Sequence, residues 1–444
     1  MLHEIDLTQN GPHGQAMADA VSTCVHCGFC LSACPTYEQL GDEADSPRGR
    51  IFLMKEVLEG KLDLEAAAPH VDRCLGCLAC EPACPSGVPY RDLISPFRAA
   101  TAGRRRVSWL QRMARRVVQL TLPYPGRFRI AATMGRWSRP LVEAMPAFLV
   151  PRVARAMLGL LPDQLPKRSE TKAFYPATGE QRGVVAMLRG CAQTVLAPEI
   201  NAATIRVLTA NGIEVHVPEN QVCCGALSWH VGNLRGAQGF ANQNLDAFDR
   251  QDAPWDAVLT NAAGCGSGLH EYGLILAGTD RQTQAETFAA KVSDVSRYLS
   301  RLSTRKAFPD RGTTTRIAYH DACHLANAQG VRSEPRALLR AIPGVTLVEI
   351  TDGHLCCGSA GTYNIDQPDM ANQLGDAKAR AILATEPDVI ATGNIGCLTQ
   401  IRTHLKRVAE ADGMPLTELP SVRHTVEILA DAYDGVDLAR AAGR

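Results

Sequence analysis

Two cysteine runs near the start of the chain have the residue type and the spacing needed to bind metal clusters. Both read C-x2-C-x2-C-x3-C-P; the first contains Cys24, Cys27, Cys30 and Cys34, and the second contains Cys74, Cys77, Cys80 and Cys84. Three thiolates in one tight turn can hold three iron corners of a cubane cluster, and the cysteine before proline can supply the fourth ligand. Proline redirects the chain after that ligand, because its φ angle is fixed. The runs therefore predict two [4Fe–4S] clusters, with zinc knuckles as the alternative.

The same spacing occurs in bacterial two-cluster ferredoxins, where the fourth cysteine of each run ligates the cluster that the other run holds. This pattern predicts two crossed ligand sets, Cys24, Cys27, Cys30 and Cys84 for cluster 1, and Cys74, Cys77, Cys80 and Cys34 for cluster 2. Crossed ligation interlocks the two runs, so the folding of this domain is expected to depend on both clusters together.

Eight further cysteines form an internal duplication in the C-terminal half of the chain. Each copy has a single cysteine, an adjacent pair followed by glycine, and a third cysteine motif: Cys191, Cys223, Cys224 and Cys265, then Cys323, Cys356, Cys357 and Cys397. Corresponding cysteines are offset by 132 or 133 residues. They are candidates for a third iron–sulfur cluster, a zinc site, a redox-active thiol pair or a structural remnant. We expect at most one copy to hold a metal tightly. We interpret the scattered histidines, such as His230, His270, His354 and His424, as structural, whereas His320 and His324 flank Cys323.

The elements around these cysteines point to parallel sheets. Predicted strands cover 184–188, 214–217 and 257–260 in the first copy, and 317–320, 345–348 and 389–392 in the second. Helical segments alternate with them, and the cysteines follow the strand ends, as in α/β folds. Between the two N-terminal runs, Ser46 as N-cap and Pro47 predict a helix that ends at Gly60 and packs over the clusters. Arg48 and Arg50 near its start either offset cluster charge or lie in solvent.

These observations predict an α+β multidomain protein. An N-terminal α-helical ferredoxin domain with two [4Fe–4S] clusters is followed by two duplicated α/β cysteine-rich (CCG) domains. The predicted boundaries are 1–100 for the ferredoxin-like domain, 101–180 for an arginine-rich helical connecting segment, 181–310 for the first repeat and 311–444 for the second.

The connecting segment alternates arginine with apolar residues at helical spacing and contains almost no acidic residue. This pattern predicts that residues 104–139 dock on a protein partner or an anionic membrane surface. The arginines expected to make the contact are Arg104, Arg105, Arg106, Arg112, Arg115 and Arg116. The alternative is a linker whose apolar face lies in the core.

Composition and missing motifs exclude several function classes. The 46 Lys and Arg residues equal the 46 Asp and Glu residues, so no global charge points to nucleic acid. The start of the chain lacks a signal-peptide pattern and no run of eighteen apolar residues occurs, so a cytoplasmic location with reduced thiols is expected. No G-x-G-x-x-G motif follows a strand, and neither a P-loop nor a G-x-S-x-G motif is present. The chain is thus expected to carry electrons without a catalytic residue of its own.

Three stretches resemble the iron–sulfur subunit of glycolate oxidase. They are Cys-Val-His-Cys-Gly-Phe-Cys at 24–30, Asp-Ser-Pro-Arg-Gly-Arg-Ile at 45–51 and His-Leu-Cys-Cys-Gly-Ser-Ala-Gly-Thr-Tyr at 354–363. The likeness runs from about residue 15 to residue 430. The cysteine-rich repeats alone are shared with heterodisulfide reductase subunits, anaerobic glycerol-3-phosphate dehydrogenase and lactate-utilisation proteins. Repeats of the heterodisulfide-reductase type end in Cys-x-x-Cys, whereas Ala262 and Asn394 stand at the first of those positions here.

The resemblance implies a three-subunit bacterial complex. Two FAD-containing flavoprotein subunits would oxidise glycolate to glyoxylate, and this subunit would pass the electrons to a quinone or a similar acceptor. FAD is expected on the partner subunits only, and this chain alone is expected not to turn over glycolate. The resemblance also allows peripheral contact with the inner face of the plasma membrane. The alternatives are an iron–sulfur subunit of a related lactate, glycerol-3-phosphate or heterodisulfide-type oxidoreductase, and a zinc-binding assembly scaffold.

Overall fold

The structure, a computed structural model, describes residues 1–106, 108–146, 150, 152–249, 255–302 and 305–439. The last residues of the predicted second repeat, 440–444, lie outside the described residues.

Five helices surround the two N-terminal cysteine runs: α1 (Gly14–Thr23), α2 (Pro35–Leu40), α3 (Pro47–Leu58), α4 (Leu64–Asp72) and α5 (Arg91–Thr101). The side chain of Ser46 accepts a hydrogen bond from the N–H of Gly49 and Pro47 opens α3, as the sequence predicts. Buried apolar side chains join these helices, among them Met17, Met54 and Phe97. Because α1 ends just before the first run and α4 just before the second, this core holds both cysteine loops in place.

Three helices follow in the connecting segment: α6 (Trp109–Thr121), α7 (Pro125–Ala144) and α8 (Arg152–Gly159). Ala114 and Val118 of α6 pack on Ile365 in the second repeat. The opposite face of α6 and one face of α7 expose large apolar side chains, namely Trp109, Leu110, Met113, Val117, Leu120, Ile130, Met134, Trp137 and Leu141. The alternative of a linker whose apolar face lies in the core is therefore wrong for these residues. No helix among the described residues has the length and apolar character needed to cross a bilayer.

Several arginines of the segment bind inside the molecule instead of facing outward. Arg105 forms an ion pair with Asp72, and Arg115 forms one with Asp366. Arg129 donates to the carbonyl of Pro166 at 2.8 Å, and Arg139 donates to the carbonyl of Leu158 at 2.7 Å. The prediction that Arg105 and Arg115 are contact residues of a docking surface is wrong, because their charges are already neutralised by buried or half-buried carboxylates.

The first repeat contains a five-stranded sheet in the order β1-β3-β2-β4-β5, with β1 antiparallel and the other strands parallel. Its strands are β1 (Phe174–Tyr175), β2 (Gly183–Met187), β3 (Ile213–His216), β4 (Ala257–Thr260) and β5 (Val292–Asp294). Its helices are α9 (Gln193–Leu196), α10 (Glu199–Ala210), α11 (Ala226–His230), α12 (Leu234–Ala247), α13 (Ala263–His270), α14 (Tyr272–Ile275), α15 (Gln282–Ala290) and α16 (Val295–Ser300). The strand β1 lies within residues 101–180, which the sequence assigns to the connecting segment.

The second repeat contains a four-stranded parallel sheet in the order β7-β6-β8-β9. Its strands are β6 (Thr315–His320), β7 (Val345–Val348), β8 (Val389–Thr392) and β9 (Ser421–His424). Its helices are α17 (Ser333–Arg340), α18 (Tyr363–Asp366), α19 (Pro368–Leu383), α20 (Ile395–Asp412) and α21 (Thr425–Tyr433), and a π-helical turn covers His324–Ala328. The predicted parallel α/β repeats are confirmed.

The two repeats pack against each other through equivalent loops. The N–H of Ala263 donates to the carbonyl of Gly393 at 3.1 Å, and the N–H of Gly264 donates to Oδ1 of Asn394 at 3.4 Å. One apolar core includes buried side chains of both sheets, such as Leu259 and Ile317. The cysteine-bearing loops at the strand ends are thus held by a shared framework.

Candidate metal centres

The two N-terminal cysteine loops share an unusual backbone conformation at equivalent positions. In the first loop, His26 has φ 59° and Gly28 has φ 86°; in the second, Gly76 has φ 65° and Leu78 has φ 58°. Left-handed φ angles are unfavourable for a histidine or a leucine, so the surrounding structure must impose them. This conformation allows each loop to wrap its thiols around one centre.

The first loop lines a small cavity together with the last cysteine of the second run. Its cysteines are Cys24, Cys27, Cys30 and Cys84, and Cys80 contributes a further wall. Pro47 and Ile51 of α3 close the cavity, which places the apolar face of that helix over the site as predicted. Burial raises the pKa of Cys30 to about 11, because a thiolate is poorly solvated there.

The second loop lines a separate small cavity, to which the first run contributes its last cysteine. The cysteines in this wall are Cys34, Cys74, Cys77 and Cys80. Cys80 lines both cavities, so the two sites are neighbours. Each cavity is lined by three thiols of one loop and the fourth thiol of the other run, and the first cavity also contacts Cys80.

A buried arginine lies beside the second cavity. Arg50 is 1% exposed; its Nη1 lies 3.6 Å from Sγ of Cys34, and its Nη2 lies 3.1 Å from Oδ1 of Asp45. Burial opposes the charge of this guanidinium, but Cys74, Cys34 and Asp45 raise its pKa above the ordinary value, so the charge is retained. The alternative of a solvated helix end is wrong for Arg50. Arg48 is only half-buried and pairs with Glu43.

Positive charge also affects the first thiol of the second loop. Burial alone would raise the pKa of Cys74, but the charges of Arg50 and Arg98 outweigh it and hold that pKa below its ordinary value. Tyr90 lies 3.7 Å from the same sulfur. By contrast, burial and the Cys323 thiol raise the pKa of Cys77. A polycationic metal group that stabilises thiolates would offset the cost of these buried sulfurs.

In the first repeat, four buried or half-buried thiols meet at the carboxyl ends of the strands. Sγ of Cys191 lies 3.5 Å from Sγ of Cys223, and the neighbouring thiols of Cys223 and Cys265 lower the pKa of Cys224. Gly225 has φ 81° and begins the turn into α11. Only glycine adopts that angle without strain, which explains the glycine after the cysteine pair.

In the second repeat, the four equivalent thiols are joined by a histidine. The ligand atoms of His320, Cys357 and Cys397 lie within 4.8 Å of one another. The thiols of Cys356 and Cys397 lower the pKa of Cys357, whereas the Cys323 thiol raises the pKa of Cys356. Asn394, which stands where related repeats have a cysteine, donates from Nδ2 to Sγ of Cys397 at 3.5 Å.

The thiols of the second repeat lie against the second N-terminal loop. Cys77 and Cys323 border one apolar cluster that also contains Leu75 and Cys356. His324 in the π-helical turn contacts the carbonyl of Gly76 at 3.1 Å, and Asn327 donates to the carbonyl of Cys77 at 3.0 Å. π-Helical turns are frequent at functional sites, and this one fixes the loop to the repeat.

Sequence reasoning noted that His320 flanks Cys323 but did not predict it as a ligand, and it left the role of Arg50 undecided. The offset that relates the two repeats was a usable signal, because the position equivalent to His320 in the first repeat is Leu188. A histidine beside a cysteine motif, at a position where the other repeat has a buried leucine, indicates a specific role at that motif.

Two family matches agree with this geometry. Residues 20–88 match the 4Fe-4S dicluster domain, and residues 185–270 and 317–402 match the cysteine-rich domain called CCG. These two matches support the presence of iron–sulfur clusters in the chain.

Three curated relatives are similar over most of the chain. The glycolate oxidase iron-sulfur subunit of Escherichia coli (strain K12) is 37% identical over 94% of this chain and 95% of its own length. The probable glycolate oxidase iron-sulfur subunit of Bacillus subtilis (strain 168) is 36% identical over 86% of this chain and 89% of its own length. A fumarate reductase (CoM/CoB) subunit of Methanothermobacter marburgensis is 28% identical over 92% of this chain and 72% of its own length.

Proposed function

This chain belongs to the family of glycolate oxidase iron–sulfur subunits, and on that premise we propose that it carries electrons released by glycolate oxidation to a quinone-type acceptor. The observation that carries the proposal is the pair of neighbouring cavities lined by the eight N-terminal cysteines. Clusters bound there would supply one-electron redox chemistry. The chain's own residues hold the ligands, exclude water and set the local charge.

We assign the eight cysteines to two [4Fe–4S] clusters in the crossed sets, Cys24, Cys27, Cys30 and Cys84, and Cys74, Cys77, Cys80 and Cys34. Four observations support the fit: the lining of each cavity, the matched left-handed loop positions, the buried Arg50 and the lowered pKa of Cys74. The division of the chain at about residues 100, 180 and 310 remains part of this proposal.

Two flavoprotein partners that carry FAD complete the proposed complex. Oxidation of glycolate to glyoxylate releases two electrons and two protons, and FAD held by the partners would supply the chemistry that accepts them. The eight N-terminal cysteines of this chain would hold the clusters that receive the electrons one at a time. Because the sequence contains no dinucleotide-binding motif, hydride acceptance belongs to the partners.

Reconstitution of the full chain with its two flavoprotein partners tests this function. Cys77→Ala is expected to abolish glycolate-dependent quinone reduction, because it removes a ligand of the second cavity, while glycolate still reduces the flavin. Val25→Ala changes an exposed residue of the first loop that offers no ligand atom, so it should leave quinone reduction unchanged. Undiminished quinone reduction by the Cys77→Ala complex, or by the flavoproteins alone, would contradict the proposal.

We further propose that the exposed apolar stripes of α6 and α7 bind an anionic membrane surface. Trp109 is 69% exposed and Trp137 is 81% exposed. The exposed Arg116 and Arg127 adjoin these stripes, and residues 101–142 contain no acidic side chain. Amphipathic helices with tryptophan on the apolar side and arginine beside it bind in the interface of anionic bilayers. The docking predicted from the arginines would thus depend mainly on apolar contact.

Substitution of the stripes should weaken membrane binding. The variant Trp109→Ser, Met113→Ser, Met134→Ser, Trp137→Ser is expected to bind phosphatidylglycerol vesicles at least about tenfold less tightly in flotation assays, since each buried apolar side chain contributes about 1.5 kcal/mol or more. The variant Met414→Ser, Leu416→Ser removes two exposed apolar residues elsewhere and serves as the control. Equal flotation of the stripe variant and the wild type would refute the membrane proposal. So would a stripe variant that loses binding to the flavoproteins but still binds the vesicles.

A further inference from the structure

His320 is a buried histidine whose ring nitrogens lack a well-formed hydrogen bond among the described residues. It is the last residue of β6 and is 1% exposed. Neither ring nitrogen meets the geometry of a hydrogen bond in the described part of the chain, and the imidazole instead acts on the Cys357 thiol, whose pKa it helps to lower. Burial of an unpaired imidazole costs free energy, so a ligand that pairs with it is the simplest reason for its presence.

The topology of the second repeat directs this histidine and the thiols to one edge of the sheet. His320 pairs with Thr392 at the ends of the parallel strands β6 and β8. Cys397 lies in the first turn of α20 after β8, and the cysteine pair follows β7. Loops at the carboxyl ends of parallel strands converge, which explains why residues distant in sequence meet here.

We propose that His320 is a ligand of a metal group held by the four thiols of the second repeat. The donor set is His320, Cys323, Cys356, Cys357 and Cys397. Zinc and iron–sulfur groups can both be ligated by thiolate sulfur and imidazole nitrogen, so this donor set fits either of them. This inference deepens the proposed function. It rests on one part of it, namely that the chain is a metal-containing electron carrier.

The first repeat provides an internal reference that lacks the imidazole. Leu188 stands at the position equivalent to His320 and is 2% exposed, so both side chains occupy the same buried place in the two repeats. The four thiols are otherwise matched. The two repeats therefore differ in donor number, and the second is the one that also lies against the second N-terminal loop.

A cysteine–histidine nucleophile fits the site less well than a metal ligand does. Such a nucleophile must be reached by its substrate. Cys357 is 1% exposed and Cys397 is 2% exposed, and His320 is equally buried. A group enclosed by these atoms is shielded from solvent, and its position beside Cys77 places it next to the proposed second cluster.

Metal analysis of full-length protein purified without oxygen tests the proposal. Wild-type protein should contain one metal group beyond the two N-terminal clusters, seen as iron and acid-labile sulfide above about eight atoms of each per chain or as one bound zinc. His320→Leu, which copies the first repeat, should lose most of that additional metal, as Cys357→Ala should. His320→Cys, which restores a ligand, should retain it, and Leu188→Ala should leave the metal content unchanged.

The N-terminal clusters provide an independent readout, because their EPR signals should be unchanged in all four variants. With protein labelled with ¹⁵N-histidine, nitrogen coupling or X-ray absorption at the bound metal should show imidazole in the wild type and none in His320→Leu. The inference is overturned if His320→Leu keeps the metal that Cys357→Ala loses, or if the wild type holds no metal beyond the two clusters. Loss of the N-terminal EPR signals alone would count against the proposed function and not against this site.

Discussion

Replacement of Arg50 by Met is expected to destabilise the N-terminal domain by about 3–5 kcal/mol, because it leaves the carboxylate of Asp45 buried with one of its cationic partners missing. The guanidinium also donates to the carbonyl of His70 at 2.7 Å and to Oγ1 of Thr36 at 3.0 Å, and these acceptors lose their donor. Loss of the visible cluster absorption during chemical unfolding, measured without oxygen, reports the change in stability.

The same variant should lower the reduction potential of one cluster more than that of the other. A positive charge stabilises the reduced cluster, which is more negative than the oxidised one, and Arg50 lies 3.6 Å from Sγ of Cys34. Arg48→Met is the matched control for stability, because Arg48 lies on the same helix but forms a half-exposed ion pair with Glu43. It should change stability by less than about 1 kcal/mol. If both variants behave alike, the buried position of Arg50 has no special role.

Much of the fold could be predicted from residue patterns alone. The strands at 257–260, 345–348 and 389–392 coincide with β4, β7 and β8, because short apolar runs bounded by turn residues favour parallel strands; β4 and β8 are buried, and β7 is half-buried at the sheet edge. The start of α3 is correct because capping is a local interaction between Ser46, Pro47 and Gly49. The resemblance to glycolate oxidase iron–sulfur subunits is confirmed by relatives that cover most of the chain.

The errors concern contacts between residues that are distant in sequence. The helical periodicity of α6 and α7 indicates an apolar stripe but not whether that stripe faces the core, since only the packed neighbours decide this. Arg115 forms an ion pair with Asp366, about 250 positions later in the chain, and no local sequence pattern indicates this contact. For the same reason the sequence indicates only that His320 flanks Cys323, whereas in the fold Cys357 and Cys397 make it a potential ligand.

The largest spectroscopic effect is expected from the fourth cysteine of each N-terminal run. Cys34 shares its cavity with Cys74 and Cys77, whereas Cys84 shares the other cavity with Cys24 and Cys27. Arg50 contacts Cys34 and lowers the pKa of Cys74, which ties these two thiols to one electrostatic environment. Removal of either thiol should therefore affect the same cluster.

EPR spectra of the reduced single variants test this crossed ligation. Cys34→Ala should perturb the signal that Cys74→Ala perturbs, and Cys84→Ala should perturb the signal that Cys24→Ala perturbs, because each pair contributes to one cubane. Phe29→Ala, an exposed change in the first loop without a ligand atom, controls for general loosening of that loop. Since metal-binding energy is folding energy in such sites, each cysteine variant should also weaken the remaining cluster, though less than the one that has lost its ligand. If Cys34→Ala instead matches Cys24→Ala, each run ligates its own cluster, and the shared cavity walls do not determine ligation.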